Sequence, residues 1–255
     1  MKHESTSLST FIRTTQDKFA DVGIETATLD TRLLIAHALG LTRLDLLTQK
    51  DRVLTEEDIE KIAPLIERRL VHESVARILN CREFWGLPFQ MNEATLEPRP
   101  DSETLIEAAL RITPTPSKTL DLGTGTGCLL LALLHEWPET IGVGIDIAPR
   151  AIEQATANAE RLGLSDRATF QQGNWLDGIK ERFDLIISNP PYIRKDEILT
   201  LDNEVKNYDP LTALDGGEDG LTPYRLLIPQ LKNFLTPQGT VLFEVGHTQG
   251  QAVET

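Results

Sequence analysis

At 255 residues the chain exceeds one ordinary domain, and its 39 acidic against 25 basic side chains give a formal net charge of -14; a surface so charged is repelled by a phosphate backbone unless a basic patch is folded together, so direct nucleic-acid binding is not expected. The two cysteines, Cys81 and Cys128, lie far apart and lack metal-ligand spacing, which argues against a disulfide framework and a zinc site and leaves no metal to expect. The amino terminus carries acids without an apolar signal core and no apolar run reaches membrane-spanning length, so a soluble, cytoplasmic protein with no membrane partner is expected.

The first third reads as helices. In ETATLDTRLLIAHALG the apolar residues Leu29, Leu33, Leu34, Ala36 and Leu39 recur at helical spacing, and Gly40 suits the left-handed residue that ends a helix. LTEEDIEKIAPLIERRL repeats the pattern with Thr55 as cap and acids in the first turn. CREFWGLPFQMNEATLEPRP then brings aromatics, Gly86 and prolines, which suit an extended, hairpin-like connector. The expected organisation is a helical domain over 1–82, a linker over 83–98 and a second domain over 99–255.

Beyond the linker, apolar strands and amphipathic helices alternate: strands at KTLDLG, IGVGID, RATFQQG, FDLIISNPP and GTVLFEVG, helices at GCLLLALLHEW, PRAIEQATANAERLG and LTPYRLLIPQLKNFL. Such alternation predicts an α/β fold, a Rossmann-like, doubly wound and mostly parallel sheet covered on both faces.

LDLGTGTG follows the first of these strands and opens a helix, the context in which a glycine loop carries information. Gly123, Gly125 and Gly127, with Thr124 between the first two, let the backbone turn and approach a ligand, while Asp121 sets a carboxylate at the end of the strand. A dinucleotide fingerprint would place a glycine where Cys128 stands, and it reserves the helix N-terminus for pyrophosphate, which Asp121 would repel. A cation without phosphates, such as S-adenosyl-L-methionine with its sulfonium and ammonium, suits this loop better. Asp146, closing VGIDI, is placed to accept hydrogen bonds from two ribose hydroxyls, the alternative being a turn acid or the cap of the helix after Pro149. Asn174 and Trp175, after the third strand, are candidates to bracket an adenine ring; a core tryptophan is the alternative.

SNPPYI follows the fourth strand, so Asn189 is expected beside the cofactor at the topological switch point. The acceptor suited to this loop is a planar, conjugated NH2 group, whose nitrogen is a poor nucleophile. The Asn189 side-chain oxygen and the Pro190 carbonyl can each accept one of its N–H bonds, Pro190 and Pro191 stiffen the loop, and Tyr192 offers a flat face. Placement of this kind supplies about 7–11 kcal/mol in well-oriented reactions. By itself the loop does not separate a glutamine amide from the exocyclic amine of adenine or cytosine.

The run EFWGLPF...LEPRPDSETLIEAAL, LDLGTGTGCLLLAL, SNPPYI and EVKNYDPLTALDGGEDGLTPYRLLI closely resembles the glutamine N5-methyltransferases of peptide chain release factors, the PrmC/HemK family. That resemblance implies a class I methyltransferase domain preceded by a small helical domain that helps recognise the release factor, and methylation of the glutamine of the factor's Gly-Gly-Gln loop in translation termination. It also implies that Asn189, Pro190 and Tyr192 hold the amide, with Pro191 in the same loop, and that Gly123, Asp146, Asn174 and Trp175 contact the cofactor. Arg99, Pro100 and Asp101 match the segment leading into the catalytic domain, where the competing expectation is helix capping by Asp101 with Glu103 in the first turn. The chain departs from the family pattern at Ser74, Asn80 and Asp209. It also stops at Thr255, soon after the fifth strand, whereas the methyltransferase sheet has two further antiparallel strands, so the fifth strand is expected as an edge. Competing readings are an adenine N6 DNA methyltransferase, which the acidic charge disfavours, a glutamine methyltransferase of a ribosomal protein, which shares chemistry and architecture, and a non-catalytic cofactor-binding adaptor.

Overall fold

A computed structural model describes residues 6–112 and 114–254. The chain divides into two compact units between Asn80 and Cys81.

The first unit is helical: α1 (Leu8–Asp21), α2 (Ala27–Leu39), α3 (Arg43–Thr48), α4 (Glu56–Leu70) and α5 (Val75–Leu79). Sequence chemistry sets several of its ends. The Thr55 side chain accepts from the Asp58 N–H while Asp58 accepts from the Thr55 N–H, a reciprocal cap that opens α4. Gly40 and Asn80 both take the left-handed conformation, closing α2 and α5. Ser74 caps α5 by accepting from the Arg77 N–H.

Of the apolar residues at helical spacing on α2, Leu34 is buried and Ala36 and Leu39 pack against the helical core. Leu29 and Leu33 are 58% and 43% exposed, whereas Ala27, Asp30, Thr31, Leu34 and Ile35 are buried. Asp30 turns the helix: its carboxylate is buried against the Arg69 guanidinium of α4, with Nε donating to Oδ2 at 2.8 Å and the Thr26 hydroxyl donating to the same oxygen at 2.7 Å. A buried charge demands a partner, and that demand outranks exposure of two leucines.

The second unit begins with an antiparallel hairpin, β1 (Cys81–Phe84) and β2 (Leu87–Gln90), joined by Trp85 and Gly86, both at positive φ. The residues read as a linker therefore start a packed element. Phe84 and Phe89 are buried, and Asn158 of α8 (Pro149–Leu162) accepts from the Gln90 N–H and donates to the carbonyls of Gln90 and Thr126. One fully buried amide thus ties hairpin, helix and glycine loop together.

The sheet follows: β3 (Lys118–Leu122), β4 (Ile141–Asp146), β5 (Ala168–Gln172), β6 (Phe183–Ser188) and β7 (Leu235–Phe243), in the order β5-β4-β3-β6-β7 with every pairing parallel. The last strand starts earlier than the apolar run GTVLFEVG predicts, because Leu235 already pairs with Phe183 across an irregularity in register. Among the described residues β5 and β7 pair on one side only. Strand residues alternate between two cores. Leu185 and Ile187 pack with α6 (Glu103–Ala109) and α7 (Cys128–Glu136), while Ile186, Leu120 and Leu122 pack with Leu227 and Leu231 of α11 (Thr222–Leu231). Short helices α9 (Asn203–Lys206) and α10 (Leu211–Leu214) lie between β6 and α11, and α12 (Gly250–Glu254) follows β7.

Replacing Asn158 with Ala strands the buried Thr126 carbonyl and the part-buried Gln90 backbone groups, so the expected loss of stability is about 2 kcal/mol in urea unfolding, with the midpoint lowered and the slope unchanged. A loss below about 0.5 kcal/mol would show that the hairpin does not depend on this amide.

Candidate active site

All five parallel strands end on one edge of the sheet, and the loops leaving β3, β4, β5 and β6 line a cavity of about 450 Å³ there. The glycine loop is bound to its neighbour strand: the N–H groups of Gly123 and Thr124 donate to the Ile145 carbonyl at 2.8 and 2.9 Å. Beneath the loop, Asp121 is fully buried. Its Oδ2 accepts from the Thr124 hydroxyl at 2.6 Å, and its Oδ1 has no hydrogen-bond partner among the described residues. Burial above all pushes the Asp121 carboxyl up to about 7, with the Thr124 bond opposing and the Asp146 charge adding to the rise. Asp146 accepts from the N–H groups of Gly125 at 2.9 Å and Ala148 at 3.0 Å, one on each oxygen; burial raises its pKa against those two bonds.

Gly123, Thr124, Gly125, Asp146, Asn174 and Trp175 face the cavity from one side, and Asn189 and Pro191 from the other. Trp175 holds a positive φ, and its ring edge lies against Gly123, where a Cβ would stand 3.5 Å from Cζ3; the ring also packs against the core beneath β3 and β4. Gly127 does not line the cavity. It is the left-handed residue that opens α7, buried so that a Cβ would meet Ala155, Leu131 and Phe170 at 3.2 Å. Pro190 is buried and Tyr192 half-buried, both outside the cavity lining.

The SNPPYI loop is held by residues that the sequence did not single out. Asn189 Nδ2 donates to the Ser102 hydroxyl at 3.0 Å, Ser102 donates to Glu244 Oε2, and the Tyr192 hydroxyl donates to Glu244 Oε1 at 3.1 Å. Burial first, then the charge and hydrogen bond of Glu244, push the Tyr192 phenol up to about 12. The ALDGGEDGL segment is zipped to the residues just after Tyr192: the Ile193 N–H donates to Leu214 O, and the Gly216 N–H donates to Ile193 O at 2.8 Å. The approach is so close that a Cβ at Gly220 would stand 2.3 Å from the Tyr192 carbonyl oxygen, and one at Gly216 2.8 Å from the Tyr192 Cα.

The expected cap at Asp101 is not made. Residues 100–102 form a single 3-10 turn with no side-chain capping bond, and Glu103 accepts instead from the Trp85 N–H at 2.8 Å. Arg99, in contrast, forms an ion pair with the buried Asp209, which also accepts from the Glu97 N–H at 3.3 Å, so the segment beside the cavity is fastened to the loop before α10. Glu244 carried one legible signal, an acid immediately after an apolar strand run. For Ser102 and Asp209 the partners lie 142 and 110 residues away, beyond any local pattern.

Two family models match the chain: PrmC N-terminal domain over residues 11–79 and Methyltransferase domain over residues 116–252. A release factor glutamine methyltransferase of Bradyrhizobium diazoefficiens is 46% identical over 254 residues, covering 98% of this chain and 86% of the relative. A release factor glutamine methyltransferase of Rhodospirillum rubrum is 48% identical over 231 residues, covering 90% of this chain and 70% of that protein. Among solved structures, the hMettl16 catalytic domain in complex with MAT2A 3'UTR hairpin 6 matches with a TM-score of 0.52 and 20% identity over 63% of this chain and 64% of that one, a likeness of fold alone. With a matching family model over more than half its length and relatives this similar along nearly all of it, the chain belongs to the release factor glutamine methyltransferases.

Proposed function

We propose that this enzyme methylates the side-chain nitrogen of the glutamine in the Gly-Gly-Gln loop of peptide chain release factors, with S-adenosyl-L-methionine as donor and in the cytoplasm, where those factors work. One observation carries the reading: a loop built to hold a planar amide, with Asn189 and Pro191 on the cavity wall, meets a glycine loop flanked by the buried Asp121 and the half-buried Asp146 at the switch point between β3 and β6.

The residues present fit the cofactor. A buried carboxylate oxygen without a partner among the described residues, Asp121 Oδ1, sits under the glycine loop and favours a cation nearby. Asp146 keeps acceptor capacity on both oxygens beyond the backbone bonds it already takes, which suits ribose hydroxyls. Asn174 and Trp175 supply a hydrogen-bonding edge and an apolar face for the base. The bound cofactor supplies a methyl group on a sulfonium that is already activated for transfer.

Everything else falls to placement by the chain. Asn189 turns Nδ2 to Ser102, which leaves Oδ1 to accept one N–H of the substrate amide, and the Pro190 carbonyl accepts the other. Two acceptors aim the nitrogen lone pair and spread the positive charge that grows there; the nitrogen then sheds a proton to water. Tyr192, anchored by its hydroxyl, gives the amide plane a face to lie on. Arg99, fastened to Asp209, stands at the same cavity and holds the segment 97–102 in place.

Labelled methyl transfer to a purified release factor tests the reading, with a Gln-to-Ala change in its Gly-Gly-Gln loop and a DNA duplex as parallel acceptors. Label is expected on the native factor alone; label on DNA alone would overturn the choice of substrate. The Asn189→Ala enzyme is expected to lose about 100-fold or more in kcat, and an unchanged rate would refute the role given to this loop.

Asp121 also predicts a pH dependence. Its carboxyl is protonated below about 7 in the ligand-free chain, and a bound cation favours the carboxylate, so binding must drive off a proton on the acid side. Calorimetric affinity for S-adenosyl-L-methionine should therefore rise from about pH 6 to about pH 8, with the rise flattened in Asp121→Asn. A native profile no steeper than that of the variant would remove Asp121 from cofactor binding.

A further inference from the structure

The chemistry proposed for Asn189 works only one way round. If the amide presented Nδ2 instead of Oδ1 to the substrate, donor would meet donor and the nitrogen lone pair would not be aimed. Nothing in the shape of an asparagine selects one orientation, because its two ends are nearly isosteric. The selection must come from what the other end touches.

That other end touches the Ser102 hydroxyl at 3.0 Å, and Ser102 in turn touches Glu244. A hydroxyl can donate or accept, so Ser102 alone is no more decisive than Asn189. Glu244 is: each of its carboxyl oxygens accepts from one of the two hydroxyls that reach it, Oε2 from Ser102 and Oε1 from Tyr192. The Ser102 hydrogen is thereby committed to Oε2, its lone pairs are left for Asn189, and only Nδ2 can satisfy them. The Tyr192 hydrogen is committed to Oε1 in the same way. Burial keeps that phenol protonated through the physiological range, so it remains a donor.

Glu244 is held stiffly enough to serve as the reference for both. It follows the last residue of β7, its N–H donates to the Ser188 carbonyl at the end of β6 at 3.0 Å, and its own carbonyl accepts from the buried Tyr224 hydroxyl at 2.7 Å. Strands β6 and β7 are paired in register up to Ser188 and Phe243, so the carboxylate and the SNPPYI loop grow from adjacent strand ends. Ser102 is 3% exposed, at the close of the turn that precedes α6.

We infer that Glu244 and Ser102 are positioning residues for methyl transfer: a one-way chain of hydrogen bonds, from Glu244 through Ser102 to Asn189 and directly to Tyr192, fixes the orientation of the Asn189 amide so that its oxygen faces the substrate. The inference rests on the proposal that Asn189 receives the amide. It assigns roles to an acid on a fifth strand and to a serine in a segment far from the loop in sequence, neither of which touches the reacting atoms. It also explains why an acid stands after the apolar strand VLF.

The test compares Ser102→Ala, Ser102→Thr, Glu244→Gln and Asn189→Ala in the full chain, reading kcat and KM for a release factor and, separately, the calorimetric Kd for S-adenosyl-L-methionine. Ser102→Ala leaves Asn189 Nδ2 without its acceptor, and Glu244→Gln puts an NH2 where one of two hydroxyls must donate, so one of them reverses. Both should lower kcat by about tenfold or more, with cofactor Kd held within about threefold. Ser102→Thr keeps the hydroxyl and should recover kcat to within about threefold of the native enzyme. Native-like kcat in Ser102→Ala and Glu244→Gln would overturn the inference, as would a threonine variant as slow as the alanine one, or a cofactor Kd that weakens in step with kcat. Asn189→Ala separates the two levels: its loss of activity beside an unaffected Ser102→Ala sinks the chain of hydrogen bonds and spares the loop's role, whereas full activity in Asn189→Ala sinks both.

Discussion

Parallel strands all finish on the same edge of their sheet, and the site of this enzyme follows from that single constraint. At the centre, β3 leads back through α7 to β4 on one side, while β6 leads on through α11 to β7 on the other, so the loops above the β3–β6 seam diverge and leave a crevice. The glycine loop, Asp146, the Asn174–Trp175 turn and Asn189 come from four successive strand ends, and Glu244 from the fifth. No side chain needs to reach far. The sheet brings residues more than 100 apart in the chain to one place, and helices pack on both of its faces.

The electrostatics of that place are unusually acidic, and each acid is handled differently. Asp209 is neutralised by a cation, Arg99. Glu244 is surrounded by hydroxyl donors. Asp146 is held by backbone N–H groups. Asp121 has the Thr124 hydroxyl on one oxygen and no partner among the described residues on the other. A buried carboxylate left short of donors is costly in the ligand-free protein and becomes favourable once a cation arrives. The cavity wall itself carries Glu97, Asp146 and Asp215 against Arg99, which favours a positively charged small molecule, in keeping with a protein whose formal charge is -14.

The rim is built by fastening remote segments to one another. Asn158 ties the hairpin to the glycine loop, Arg99 and Asp209 tie the segment before α6 to the one before α10, and Gly216 and Gly220 let the loop after α10 lie directly on the backbone at Tyr192. These contacts use polar groups with few geometric options, so they specify one arrangement in a way that apolar packing alone does not. The SNPPYI loop carries two prolines that restrict its backbone, and three other segments hydrogen-bond to it.

Much of this is legible in the sequence. Period-two strands alternating with amphipathic helices announce a parallel sheet, since each element's apolar face must be buried and the connection between parallel strands must cross over. Glycines after a strand and the acids at strand ends are local patterns, and the structure brings Gly123, Gly125 and Asp146 to one cavity, as it sets Gly40 and Thr55 at helix ends. What the chain could not reveal locally is which of those residues face inward and who meets whom. On α2 the buried face carries Asp30, paired with Arg69 of α4, beside Leu34 and Ile35, while Leu29 and Leu33 are exposed. Gly127 turned out to serve close packing beneath the glycine loop, because only the fold places Ala155, Leu131 and Phe170 against it. Ser102, Asp209 and Glu244 acquire significance only through partners at long range, and a hydrogen bond across 142 residues leaves no periodic trace in the sequence. Local propensity and patterning determined the elements and the character of the loops; the tertiary structure alone decided how buried polar groups were paired, because such pairing depends on distances that no single segment contains.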